Sequence, residues 1–155
     1  MAFHRILVAV DFSEPAREAL AMAARLASES GGELVLAHVA QPAAYTFGPS
    51  NFPAGAADAF LDDTMRALAD WTQQAESLGA PRVDKRVRIG PAWYEIVVLL
   101  HEEPSFDLVV IGTHGRTGLA HVMLGSVAEK VVRHAPRPVL VVGRSATESA
   151  IPPVA

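Results

Sequence analysis

Cysteine is absent from the 155 residues, which excludes disulfides, thiolate metal sites and cysteine nucleophiles. Long apolar runs are missing too. None reaches the roughly 18 residues of a spanning helix, so no membrane association is expected. The apolar run near the N-terminus is short and ends in a carboxylate, Asp11. It reads as a first strand and not as a signal peptide, which makes the cytoplasm the expected location. Basic residues are outnumbered, 13 Lys and Arg against 17 Asp and Glu, for a formal net charge of −4. That balance lacks the basic footprint of a general nucleic-acid binder. Lysine is scarce, with only Lys85 and Lys130 present. His4, His38, His101, His121 and His134 are scattered, and no pair has a metal-ligand spacing. Phe60, Trp71 and Trp93 fall within helical patterns and read as packing residues.

What remains is an ordinary globular composition, 50% hydrophobic and 19% charged, in a chain of one-domain length. Apolar runs of strand length alternate with helical periods. Ile6 to Val10 ends at Asp11, with Ser13 as the N-cap of a helix whose stripe is Ala19, Met22, Ala23 and Leu26 and which stops at Gly31 and Gly32. Leu34 to Val39 is a second buried strand. The stretch from Gln41 to Ala57, with three prolines and two glycines, reads as a long loop. Leu61, Met65, Leu68, Ala75 and Leu78 mark the next helix. Arg82 to Ile89 mostly alternates charges with aliphatics, as an edge strand does. A helix opens after Pro91, with a stripe of Ile96, Val97 and Leu100; the pair Glu102 and Glu103 reads as its solvated end. Asp107–Gly112 and Pro138–Gly143 are two more strands, with a helix over Ser126–His134 between them. This alternation predicts an α/β, doubly wound parallel sheet with helices on both faces. The domain is expected to span residues 1–144, with 145–155 a flexible tail.

Glycines and a hydroxyl stand between the fourth strand and the fourth helix: Gly112, Gly115, Gly125 and Ser126. Backbone N–H groups can converge there on a phosphate, helped by the positive end of the helix dipole. The glycines are expected to allow close approach, and some to need positive φ. The segment is not a Walker loop, and no dinucleotide fingerprint follows the first strand. Glycine-rich turns of this type often bind nothing, so pattern alone leaves phosphate binding and an empty turn both open. If the first and fourth strands are neighbours at a topological switch point, Asp11 and Gly112 face one crevice.

The full spacing G-x2-G-x9-G-S, at Gly112, Gly115, Gly125 and Ser126, resembles the ATP-binding pattern of the universal stress protein family. Residues 127–142 look like that family's closing helix and strand, and residues 6–13 like its opening. The resemblance covers nearly the whole chain and is weakest from Gln41 to Ala57. It implies a Rossmann-like five-stranded sheet in the order 3-2-1-4-5. It also implies binding of ATP, with AMP or cyclic AMP as alternatives. Carried over by residue, Gly112, Gly115, Gly125 and Ser126 would surround the phosphates. Asp11 would face the ribose or a phosphate-bound Mg2+, backbone groups near Val39 would read the adenine edge, and Ala9 would lie under the nucleoside. Arg116 suits phosphate by its guanidinium geometry. His114 reads as a loop histidine near the site. Asp11 can equally serve to cap the first helix.

Three functions compete: a nucleotide-binding regulatory protein of the stress response, a slow ATPase, and a structural dimer with a vestigial pocket. Neither Lys85 nor Lys130 is placed as a phosphate lysine, so any hydrolysis should be slow. The resemblance places Pro138–Val142 at a sheet edge, and the run is apolar on both faces, which predicts a homodimer paired through it.

Overall fold

The computed structural model describes residues 2–41, 55–114 and 124–143. Five strands, β1 (Arg5–Ala9), β2 (Glu33–Ala40), β3 (Arg82–Ile89), β4 (Leu108–Gly112) and β5 (Val139–Val142), form one sheet in the order β3-β2-β1-β4-β5. Every pairing is parallel. Four helices in the described residues connect them: α1 (Glu14–Ser30), α2 (Ala56–Ser77), α3 (Ala92–Glu102) and α4 (Ser126–His134). The expected tail, 145–155, and most of the expected loop, 42–54, lie outside the described residues. α2 opens at Ala56, inside the expected loop.

Strand side chains alternate between two cores. Ile6, Val8, Leu34, Leu36, Leu108 and Val110 meet α1 and α2 on one face. Leu7, Ala9, Val35, Ala37, Val109 and Ile111 meet α3 and α4 on the other. A strand buried on both faces has no polar side to show, which is why β1, β2 and β4 read as largely apolar runs, with His38 the interruption in β2. α1 begins at Ser13, whose Oγ accepts from the Ala16 N–H at 3.3 Å, and ends at Gly31, left-handed at φ +64°. Its buried face is built largely of alanine (Ala16, Ala19, Ala23, Ala27), which lets the helix axis lie close to the sheet.

Three details differ from the periodic reading. Met22 of the α1 stripe is exposed, and Leu61 and Met65 are 37% and 46% exposed. α2 turns Thr64, Leu68, Trp71 and Ala75 inward, a face rotated from the one its apolar residues suggested because a Thr and a Trp carry part of it. Glu102 is exposed, as expected of a solvated helix end, but Glu103 is only partly so, and both are ion-paired. Asp84, Arg86 and Arg88 line the β3 face opposite to Val83 and Val87, toward α3. Arg88 binds Glu95 at 3.1 Å and Glu102 at 2.8 Å, while Arg86 binds Glu103 at 2.8 Å. Glu103 also takes Arg5 at 2.8 Å. The edge strand is thus held to α3 by a charge network that joins three elements.

That network sets an acid limit on stability. The Arg86 guanidinium, with Arg5 beside it, holds the Glu103 carboxyl below the ordinary glutamate range, and Arg86 does the same to Asp84. A carboxyl whose folded value is depressed stabilises the fold above its unfolded value, near pH 4, and loses that contribution as pH falls further. Denaturant titrations between pH 7 and 3 should show stability falling below about pH 4. Glu103→Gln should be less stable at pH 7 and show a shallower acid slope. Equal slopes would remove Glu103 from the account.

Candidate functional site

β1 has β2 on one side and β4 on the other, so the chain leaves it in opposite directions and a crevice opens at the strand carboxyl ends. A cavity of about 710 Å³ lies there, within the size range of small-molecule sites. Its apolar wall is Ala9, Ala37, Ile96, Ile111 and Ala128. Ala9 and Ala37 are small where the larger Leu7 and Val35 precede them on the same face, and the space is left at the strand ends for that reason. A second concavity, along the flanks of α1 and α2 around Leu20 and Gln74, meets no strand end.

Six of the eight expected site residues line the same cavity: Ala9, Asp11, Val39, Gly112, Gly125 and Ser126. The other two, Gly115 and Arg116, lie outside the described residues. Asp11 follows β1. Its Oδ1 accepts from the Ser13 N–H at 3.0 Å and from the Ser13 hydroxyl, so it braces the residue that caps α1 and does not itself cap the helix. Val39 lies beyond the last β1–β2 pair, Ala9 with Ala37. The Ala37 carbonyl faces β1, where it accepts from the Val10 N–H at 2.8 Å. Two residues on, the Val39 N–H and C=O point the same way, past the end of β1 and toward the cavity. α4 has Gly125 as its N-cap, with no side-chain cap. The Glu129 N–H makes a helical bond to the Gly125 carbonyl at 2.9 Å, so the N–H groups of 126–128 have no helical acceptor.

The two described motif glycines have a packing reason that was not expected for them. Neither has positive φ; among the described glycines that conformation belongs to Gly31, Gly55, Gly79 and Gly90. Nor does either leave its space open. A Cβ on Gly112 would stand 2.7 Å from the Pro15 carbonyl carbon and oxygen, and one on Gly125 would stand 3.0 Å from the Thr113 oxygen. Gly112 lets α1 descend onto β4. Gly125 lets the start of α4 close on the end of β4, where its N–H donates to the Thr113 carbonyl at 2.7 Å. Both are required by backbone packing that shapes the cavity.

The cavity also has members that periodicity did not mark. Phe12 is the one non-glycine residue with positive φ among those described, at +63°. That conformation is costly for an aromatic residue. Its ring packs on His38 at 4.5 Å and on Trp71 at 5.8 Å between centroids, which holds the turn between Asp11 and Ser13. His38 is buried, with Nδ1 at 2.7 Å from the Val10 carbonyl. Phe60 and Thr64 reach the rim from α2. Phe12 follows Asp11 directly, but nothing in one-dimensional spacing places His38, Phe60 and Thr64 beside it; only the strand register and the α1–α2 packing do. Lys130 is remote from this chemistry, with Nζ 5.4 Å above the Trp93 ring, and among the described residues the cavity lining has no Lys or Arg and one carboxylate, Asp11.

Comparison with known proteins agrees with this geometry. The model of the Universal stress protein family matches residues 2–143. Universal stress protein YxiE of Bacillus subtilis is 32% identical over 149 residues, covering 90% of this chain and 99% of that protein. The solved structure of MJ0577, from Methanocaldococcus jannaschii, superposes with a TM-score of 0.81 at 27% identity, covering 95% of this chain and 100% of that one. The universal stress protein from Archaeoglobus fulgidus, solved in complex with dAMP, superposes with a TM-score of 0.66 over 92% of this chain and 99% of its own. At 23% identity that likeness shows the fold.

Proposed function

The chain belongs to the universal stress protein family, and from that premise we propose that it is an ATP-binding regulatory module of the stress response, working in the cytoplasm as a homodimer. One observation carries the reading: Ala9, Asp11, Val39, Gly112, Gly125 and Ser126, drawn from three strands and a helix start, line one cavity at the switch point. The adenine fits the apolar wall, with its edge toward the Val39 backbone. The ribose lies over Ala9 near Asp11. The phosphates reach the uncapped start of α4, where the 126–128 N–H groups, the Ser126 hydroxyl and the helix dipole favour an anion. Gly115 and Arg116, the remaining motif candidates for this end, lie outside the described residues.

Mg2+ fits as a passenger of the phosphates. Among the described residues no group of three His, Asp or Glu could hold a metal by itself. A single carboxylate, Asp11, is what Mg2+ uses when the substrate supplies the remaining oxygens. The dAMP in the Archaeoglobus relative favours a second reading, in which the ligand is a monophosphate or cyclic AMP. Hydrolysis is slow or absent, because positioning without a phosphate lysine leaves the transition-state charge poorly neutralised.

Mass spectrometry of small molecules released from freshly purified, denatured protein should find an adenine nucleotide. Calorimetry should show Mg·ATP binding that Asp11→Ala weakens about tenfold or more, the loss of one charge-assisted contact. Turnover should stay below the roughly 1 s⁻¹ typical of slow enzymes. No retained nucleotide, and no heat from ATP, AMP or cyclic AMP, would defeat the reading.

A further inference from the structure

The sequence marks His114 as a loop histidine beside the motif. In the fold its Nε2 is shut off from solvent and has no hydrogen-bond partner among the described residues, while the residue lines the cavity. Buried side-chain nitrogens are nearly always paired, and one that is not marks either a cost without return or a place reserved for a ligand atom. The backbone just before it is fixed by two hydrogen bonds of Thr113. The Thr113 N–H donates to the Val142 carbonyl at 3.0 Å, and the Thr113 carbonyl accepts from the Gly125 N–H at 2.7 Å. The position of a Cβ on Gly125 lies 3.3 Å from the His114 Cα, so the imidazole is rooted against the start of α4. From that anchored Cα the ring can turn about two side-chain torsions.

The chemistry of the cavity says what the nitrogen is for. Its described lining carries no Lys or Arg, and its one acid is Asp11 at the other lip. A phosphate chain there depends on N–H and O–H donors. We propose that His114 is a ligand-binding residue whose Nε2–H donates to a phosphate oxygen of the bound nucleotide. The site thereby distinguishes a nucleotide from a bare nucleoside. This inference rests on the nucleotide reading above and assigns one donor within it.

The test uses the full chain, its His114→Leu variant and its His114→Gln variant. Leucine removes the donor at similar bulk; glutamine keeps an N–H at comparable reach. Calorimetry is run with Mg·ATP and with adenosine, and melting is followed without ligand. His114→Leu should weaken ATP about 10- to 100-fold, the range of one hydrogen bond to a charged group. Adenosine binding should change by less than about twofold, since Nε2 does not touch the nucleoside. The unliganded variant should melt at the same temperature or higher, because it no longer buries an unpaired nitrogen. His114→Gln should recover most of the ATP affinity. ATP bound equally well by wild type and His114→Leu would overturn the inference while leaving the nucleotide reading standing. Parallel losses for ATP and adenosine, or a lower melting temperature, would overturn it by showing a packing role. No heat from either ligand with the wild-type chain would overturn the nucleotide reading itself.

Discussion

Gly112→Ala is expected to destabilise the protein by about 3 kcal/mol, the upper part of the range for overpacking a core. One methyl group is added, but it has nowhere to go. It would stand 2.7 Å from the Pro15 carbonyl carbon and oxygen and 2.9 Å from the Pro15 Cβ. The opposing atoms are mostly backbone, and the proline ring stiffens them. Relief requires α1 to move away from β4, and α1 is seated on the sheet by fully buried alanines at 19, 23, 24 and 27. The same displacement would carry Ser13 and Asp11 with it, because Asp11 braces the α1 cap. Nucleotide affinity should therefore fall together with stability. Urea unfolding and calorimetry on the same preparation check both. A wild-type midpoint would show that α1 is free to shift and that Gly112 is not a packing glycine. Gly125→Ala should be milder, since its closest contact is 3.0 Å.

Leu140→Lys should convert a dimer into monomers or insoluble protein. β5 is four residues long, and none of them is fully buried. Leu140 and Val142 pack toward the α1 and α2 core, Val139 and Val141 toward the α3 and α4 core. One backbone edge pairs with β4, and among the described residues the sheet ends at the other. The opposite edge, β3, is protected by charges, but β5 has none within it. A second copy related by a two-fold axis would cover this edge with the same patch from both chains. A lysine in that seam is costly, and it also weakens the packing of Leu140 within one chain. Sedimentation at micromolar concentration should give a dimer for the unmodified chain; a monomer would make the pairing wrong. The proposed seam would adjoin the cavity, since the Val142 carbonyl takes the N–H of Thr113, a lining residue.

The layered α/β fold was legible because the strands β1, β2 and β4 are buried on both faces and are therefore predominantly apolar, with His38 the buried polar exception. The boundaries of α4 and the caps of α1 were legible for a local reason: Ser13 and Gly31 act on backbone groups within a few residues of themselves. The motif at 112–126 pointed by its spacing to the cavity at the strand ends, but it did not reveal the backbone packing at Gly112 and Gly125. Gly112 looked like room for a ligand and is room for Pro15, a residue far away in sequence.

Local chemistry, then, determined the order of elements, the two-sided burial of the central strands and the end of the sheet where a site would form. Each of these depends on the periodicity of side chains or on neighbours along the chain. Tertiary structure alone decided that Glu103 is an anchor for Arg5 and Arg86, that Thr64 and Trp71 turn inward in place of Leu61 and Met65, and that Phe12 is held left-handed on His38. It also decided that the His114 Nε2 is buried without a partner among the described residues. These depend on distances between elements, and those distances follow from how closely α1, α2 and α3 settle on the twisted sheet. That is a property of the packed whole, which no local pattern encodes.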